Sequence, residues 1–110
     1  MRFGAAVAVA VAGFLSAAPA YADGTIDDLQ NTPALDQPFL NYLFTHGFGY
    51  LDVQRVLSDG AVACVNDMHG VPAELNVSML TSRAYTEDEA KAVVAAMQQA
   101  GHTEGVPPMC

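Results

Sequence analysis

The chain has 110 residues, four basic side chains against twelve acidic ones, and a formal net charge of −8. One domain is expected at that length, and such acidity argues against nucleic acid and anionic lipid headgroups as partners. No G-x-S-x-G, P-loop or Rossmann glycine pattern is present, so the common enzyme signatures give no catalytic residue to build on.

Met1 to Ala22 reads as a secretory signal. Arg2 is its positive start, Phe3 to Leu15 its apolar run, and Ala20-Tyr21-Ala22 its small-x-small cleavage site. The run is too short and alanine-rich to span a bilayer comfortably, so no membrane anchor is expected after cleavage. No cysteine follows the site, which argues against a lipid anchor. The implied location is secreted or in the cell envelope. Without the leader, Arg55, Arg83 and Lys91 face all twelve acidic side chains, a balance of −9.

Residues 23–35 are polar and turn-rich, and read as a flexible or loosely packed arm on which Ile26 and Leu29 could dock as a short turn. The helical domain is expected over 36–110. Asp36 is the expected N-cap of a first helix, with Pro38 inside its first turn. Phe39, Leu40, Leu43 and Phe44 share one face of it. Gly47 is placed to end the helix in the left-handed conformation, with Phe48 packing back on Leu43.

Asp52 is expected to cap a second helix, with Leu51 and Val56 stapled across the cap. Val53, Val56, Leu57, Gly60, Ala61, Cys64, Val65 and Met68 follow at the spacing of an amphipathic helix. Gly60 on that stripe predicts close approach of another helix, because a mid-helix glycine otherwise costs about 1 kcal/mol. Gly70 stops the run.

This hairpin carries a resemblance. Phe39, Leu40, Leu43, Gly47, Tyr50, Asp52, Gly60, Cys64, Met68 and Gly70 resemble the signature of a family of small secreted actinobacterial proteins, best known from mycobacteria and catalogued as domain of unknown function 732. The resemblance implies a secreted, helical, disulfide-linked domain. It brings no known activity and no catalytic residue.

Pro72 can open a third helix at its first position, running to about Ser82 with Leu75, Met79 and Leu80 as core candidates. Thr86 and Glu89 form a capping box for a fourth helix from Glu87 to about Ala100, with Ala90, Val93, Val94 and Met97 inside and Gly101 at its end. The tail to Met109, with Gly105, Pro107 and Pro108, is longer than the family pattern.

Cys64 and Cys110 are the two cysteines. In an exported chain they point to one disulfide, which makes a free-thiol catalytic role unattractive. His46 and His69 fall at helix ends, where they complement the dipole, and neither they nor His102 has zinc-site companions. Asn76-Val77-Ser78 matches a glycosylation sequon by coincidence. Tyr42, Tyr50, Tyr85, His46, His69, Met68 and Met79 include types that ligate haem iron, but such residues at helical spacing are usually core. The expectation is therefore an all-α bundle of about four helices with one disulfide. It has no cofactor and no metal, and acts by non-catalytic binding to a protein or envelope partner. The competing reading is a carrier of a small hydrophobic ligand such as haem, which would need an internal cavity of roughly a few hundred Å³.

Overall fold

The computed structural model describes residues 24–102 and Cys110. The expected leader over 1–22 and the tail residues 103–109 lie outside the described residues. Two short 3-10 turns, Ile26–Leu29 and Pro33–Asp36, precede four α-helices. These are α1 (Pro38–Thr45), α2 (Val53–Met68), α3 (Ala73–Thr81) and α4 (Glu87–His102). Among the described residues there is no β-strand, and the all-α bundle with one disulfide is the observed architecture.

Helix ends follow local chemistry closely. Asp36 does not cap α1; it is the last residue of a 3-10 turn, and Gln37 takes the cap position with φ −69° and ψ 133°. The reason is Pro38, whose ring pushes the preceding residue out of the helical region. At the other end Gly47, at φ +88°, closes α1 as expected. The Phe48 N–H donates to the Leu43 carbonyl at 2.9 Å and the Gly47 N–H to Phe44 at 3.3 Å, which is a Schellman motif. In α2 the Asp52 carboxylate accepts from the Arg55 N–H at 2.9 Å. Gly70 ends α2 at φ +83°, with Val71 N–H bonded back to Asn66 at 3.0 Å.

Pro72 sits one residue earlier than expected, at the N-cap of α3. The capping box on α4 is present: the Thr86 N–H donates to Glu89 Oε1 at 2.9 Å and the Glu89 N–H to Thr86 Oγ1 at 3.1 Å. Gly101 does not end α4, which continues to His102. A glycine permits a left-handed stop without imposing one.

The core lies around α4, which packs on each of the other three helices. Ala90, Ala92, Val93, Val94, Ala96, Met97 and Ala100 of α4 are buried. Four of these seven are alanines, so neighbouring helices can come close to its axis. Ile26, Leu40, Leu43, Val53, Val56 and Leu80 are fully buried around it.

Three further sequence expectations need correction. Residues 24–35 are built into the molecule rather than loose. The Ile26 N–H donates to Leu51 at 3.0 Å, the Asp27 N–H to Gly49 at 2.8 Å, and the Val53 N–H to the Gly24 carbonyl at 2.9 Å. Ile26 and Leu29 are both buried as a result. The Gly49 backbone is approached so closely that a Cβ there would strike the Asp27 carboxylate. Second, the inward face of α2 is rotated from the apolar stripe. Val53, Val56, Asp59, Gly60, Ala63 and Cys64 are buried, whereas Val65 and Met68 are 45% and 70% exposed. Third, Leu75 on α3 is 56% exposed while the neighbouring Asn76 is only 1% exposed. The buried amide is satisfied: Nδ2 donates to the Ala63 carbonyl at 3.2 Å, and Oδ1 accepts from Asn66 Nδ2 at 3.0 Å. A polar residue bonded on both sides can be buried without penalty. It ties α3 to α2, and it removes the sequon asparagine from the surface.

Candidate functional site: the outward face of α1

The disulfide joins Cys64 to Cys110, with Cα atoms 5.8 Å apart. Cys64 is buried at 6% exposure on α2 and Cys110 is exposed. This is the pairing expected from the two cysteines, and it draws the chain end onto the second helix.

A buried acid anchors a cluster of four side chains. Asp59 is 8% exposed; its Oδ1 accepts from Arg83 Nη1 at 2.7 Å and its Oδ2 from the Tyr85 hydroxyl at 2.9 Å. The Arg55 guanidinium lies over the Tyr85 ring, 3.8 Å from its centre, and donates to the Arg83 carbonyl at 2.7 Å. Burial, and then the bond to Asp59, push the Tyr85 hydroxyl well above its ordinary pKa of 10.0. Every member of this cluster holds the α3–α4 connection against α2. The sequence reading missed Asp59 because an aspartate beside an apolar stripe reads as solvated. The available signal was its place at i+3 from Val56 beside the small residues Gly60 and Ala63, with an Arg-x-Tyr run later in the chain.

A second pair is exposed. The Tyr50 hydroxyl donates to Glu89 Oε2 at 2.6 Å, so the residue that caps α4 also grips the loop before α2. That bond, followed by the backbone N–H of Thr86, lowers the Glu89 pKa. The same bond raises that of Tyr50.

Concavity is found elsewhere. Asn41, Tyr42, Thr45 and His46 form the outward face of α1, and three open depressions meet on it. One of about 500 Å³ also draws on Asp36, Pro38 and Gln99. Another of about 420 Å³ runs along Asn31, Thr32, Pro33 and Leu35. The third, of about 380 Å³, reaches Phe48, Asp88, Lys91 and Ala95 on the α4 side. Between the first and third stands a ridge, the Tyr42 and His46 rings stacked at 3.9 Å with 15° between their planes. His46 Nδ1 is 2.8 Å from the Tyr42 carbonyl. A carbonyl can only accept, so Nδ1 carries the proton and Nε2 is left as the acceptor of the neutral ring.

Of the iron-ligating residue types, only Tyr42 and His46 are in described contact with each other. Tyr50 is bonded to Glu89 and Tyr85 to Asp59; Met79 is half-buried on α3, and Met68 and His69 are exposed at the end of α2. Among the described residues there is no cluster of three or more His, Cys, Asp or Glu side chains able to hold a metal, and no helix long and apolar enough to cross a membrane. Compared with known proteins, the chain matches no family model, no curated protein and no solved structure.

Proposed function

We propose that this is a non-catalytic binding protein, working outside the cytoplasm, that engages a protein partner of the cell envelope through the outward face of α1. The observation that carries the reading is the meeting of three open depressions on the outward face of α1, two of them flanking its stacked Tyr42–His46 ring pair. Open depressions flanking a stacked ring pair suit a protein surface better than a small apolar ligand, which favours an enclosed site. The groups with displaced pKa values, Tyr50, Tyr85 and Glu89, are engaged in bonds that hold helices and loops together. That arrangement supports a binding role over an acid–base one. Export rests on the Arg2, apolar run and Ala20-Tyr21-Ala22 series, and kinship with the small secreted actinobacterial family rests on the hairpin residues alone. With a chain charge of −8, complementarity favours a partner whose contacting surface is basic.

Crosslinking on live cells with the wild-type protein and a Tyr42→Ala variant tests this. The expected result is a captured protein whose yield falls in the variant and with rising salt. Equal capture by both proteins would overturn the site. Haem addition separates the carrier reading: no saturable Soret shift is expected, and a saturable shift lost in His46→Ala would promote it.

A further inference from the structure

The apolar stripe that α2 leaves outside ends at Met68, which is 70% exposed. Its thioether Sδ lies 3.4 Å from Sγ of Cys110, itself bonded to Cys64. A disulfide sulfur has no hydrogen to donate, so this is a contact between two polarisable sulfurs. The other described methionines are placed differently. Met79 is half-buried on α3, and Met97 is 2% exposed in the core. Thioethers are oxidised to sulfoxides by hydroperoxides, and the reaction selects exposed sulfur.

We propose that Met68 is an oxidant-accepting modification site that guards the adjacent bridge. In the step, the sulfur lone pair attacks the terminal oxygen of a hydroperoxide. An S–O bond forms, the O–O bond breaks, and the peroxide leaves as water or an alcohol after taking up its proton. Sulfur gives up two electrons. Met68 tolerates the product because the new oxygen meets solvent, whereas on Met97 it would be a buried polar group without a partner. The neighbouring bridge is already at the disulfide level, and its Cys110 sulfur, on an exposed residue, has a more readily oxidised sulfur 3.4 Å away. An oxidant approaching the bridge from solvent therefore meets the thioether as a competing target.

Dilute hydrogen peroxide, followed by peptide-resolved mass spectrometry of the folded chain, tests the proposal. One oxygen should add to Met68 about tenfold faster than to Met97, with no free thiol released. In denaturant the rates should converge. Under stronger peroxide the bridge of Met68→Leu should gain oxygen sooner than that of the wild type. Met79 or Met97 keeping pace with Met68 in the folded chain would overturn the site. A rate gap that persists in denaturant would assign the selectivity to local sequence and do the same. A bridge oxidised no sooner in Met68→Leu would overturn the guarding role.

Discussion

Ala84 shows how one side chain can be at odds with its position. It follows α3 at φ +73°, and its N–H bonds to Thr81 at 3.2 Å while the Tyr85 N–H bonds to Leu80 at 3.3 Å. That is the bonding of a Schellman motif with alanine where Gly47 and Gly70 stand in the other two. A left-handed alanine costs about 1–2 kcal/mol. Glycine would return part of that as unfolded-chain entropy, about 0.5–1 kcal/mol. Ala84 is exposed, so no packing is lost by removing its methyl. Ala84→Gly should therefore stabilise by about 0.5–1 kcal/mol and raise the melting temperature by a few degrees. A lower melting temperature would show that the methyl does more than crowd the backbone. The position was not legible beforehand, since the sequence carries no turn residue there. What holds the alanine in place is tertiary: Tyr85, the next residue, is anchored on Asp59. Asp59 was hidden for the same reason, its partners Arg83 and Tyr85 being more than twenty residues away.

At the scale of elements, legibility tracked how local the determining chemistry was. The Gly47 and Gly70 stops, the Asp52 cap and the Thr86–Glu89 box all act within a few residues, and all are present. The docked arm rests on backbone bonds from Gly24–Asp27 to the Gly49–Val53 segment, which no pattern in either stretch announces. The rotation of α2 had a similar source, since Asn76 and the Arg83–Tyr85 connection both claim its polar side. The outward face of α1 was only partly foreseen. His46 was placed correctly at the helix end, but its stacking on Tyr42, an i, i+4 contact, was not read from the spacing, and the third depression beside the pair depends on α4. Glu89 links two elements and makes a pH prediction. Its pKa is lowered below the ordinary 4.5 by the Tyr50 hydroxyl, so folded protein holds that proton more weakly than unfolded chain. The stabilisation is complete above 4.5 and is lost as pH falls through the lowered folded value. At the alkaline end Tyr50 is raised above its ordinary 10.0, so the pair weakens as pH rises through that folded value. Carboxyl NMR should find Glu89 titrating below 4.5, and moving back toward it in Tyr50→Phe. No movement would assign the lowered value to the cap alone.

For the whole molecule, the bridge has the greatest reach. It closes a separation of 46 residues that contains α3 and α4. The chain-entropy model values such a loop at about 4 kcal/mol. Against a total stability of about 5–15 kcal/mol, that is a large share. Replacing Cys64 and Cys110 together by serine should lower the melting temperature far more than any single surface change, and the wild type should show no titratable thiol until reduced. Two free thiols in the non-reduced, folded protein would refute this. This feature was legible because only two cysteines were available to pair.

The bridge and the arm together give the protein a mechanical path. Gly24 is bonded to Val53 at the start of α2, and Cys110 is bonded covalently to Cys64 within the same helix. Tension applied between residue 24 and Cys110 therefore reaches the chain from Gly24 to Cys64, while α3 and α4 hang behind the bridge as an unloaded loop. The loaded length is about 40 residues, so complete stretching should release roughly 140 Å of chain. In a pulling experiment, reduction should more than double that extension. Under load between these two points the protein would thus lengthen to a fixed stop, with the helix that forms the centre of its core shielded from the tension.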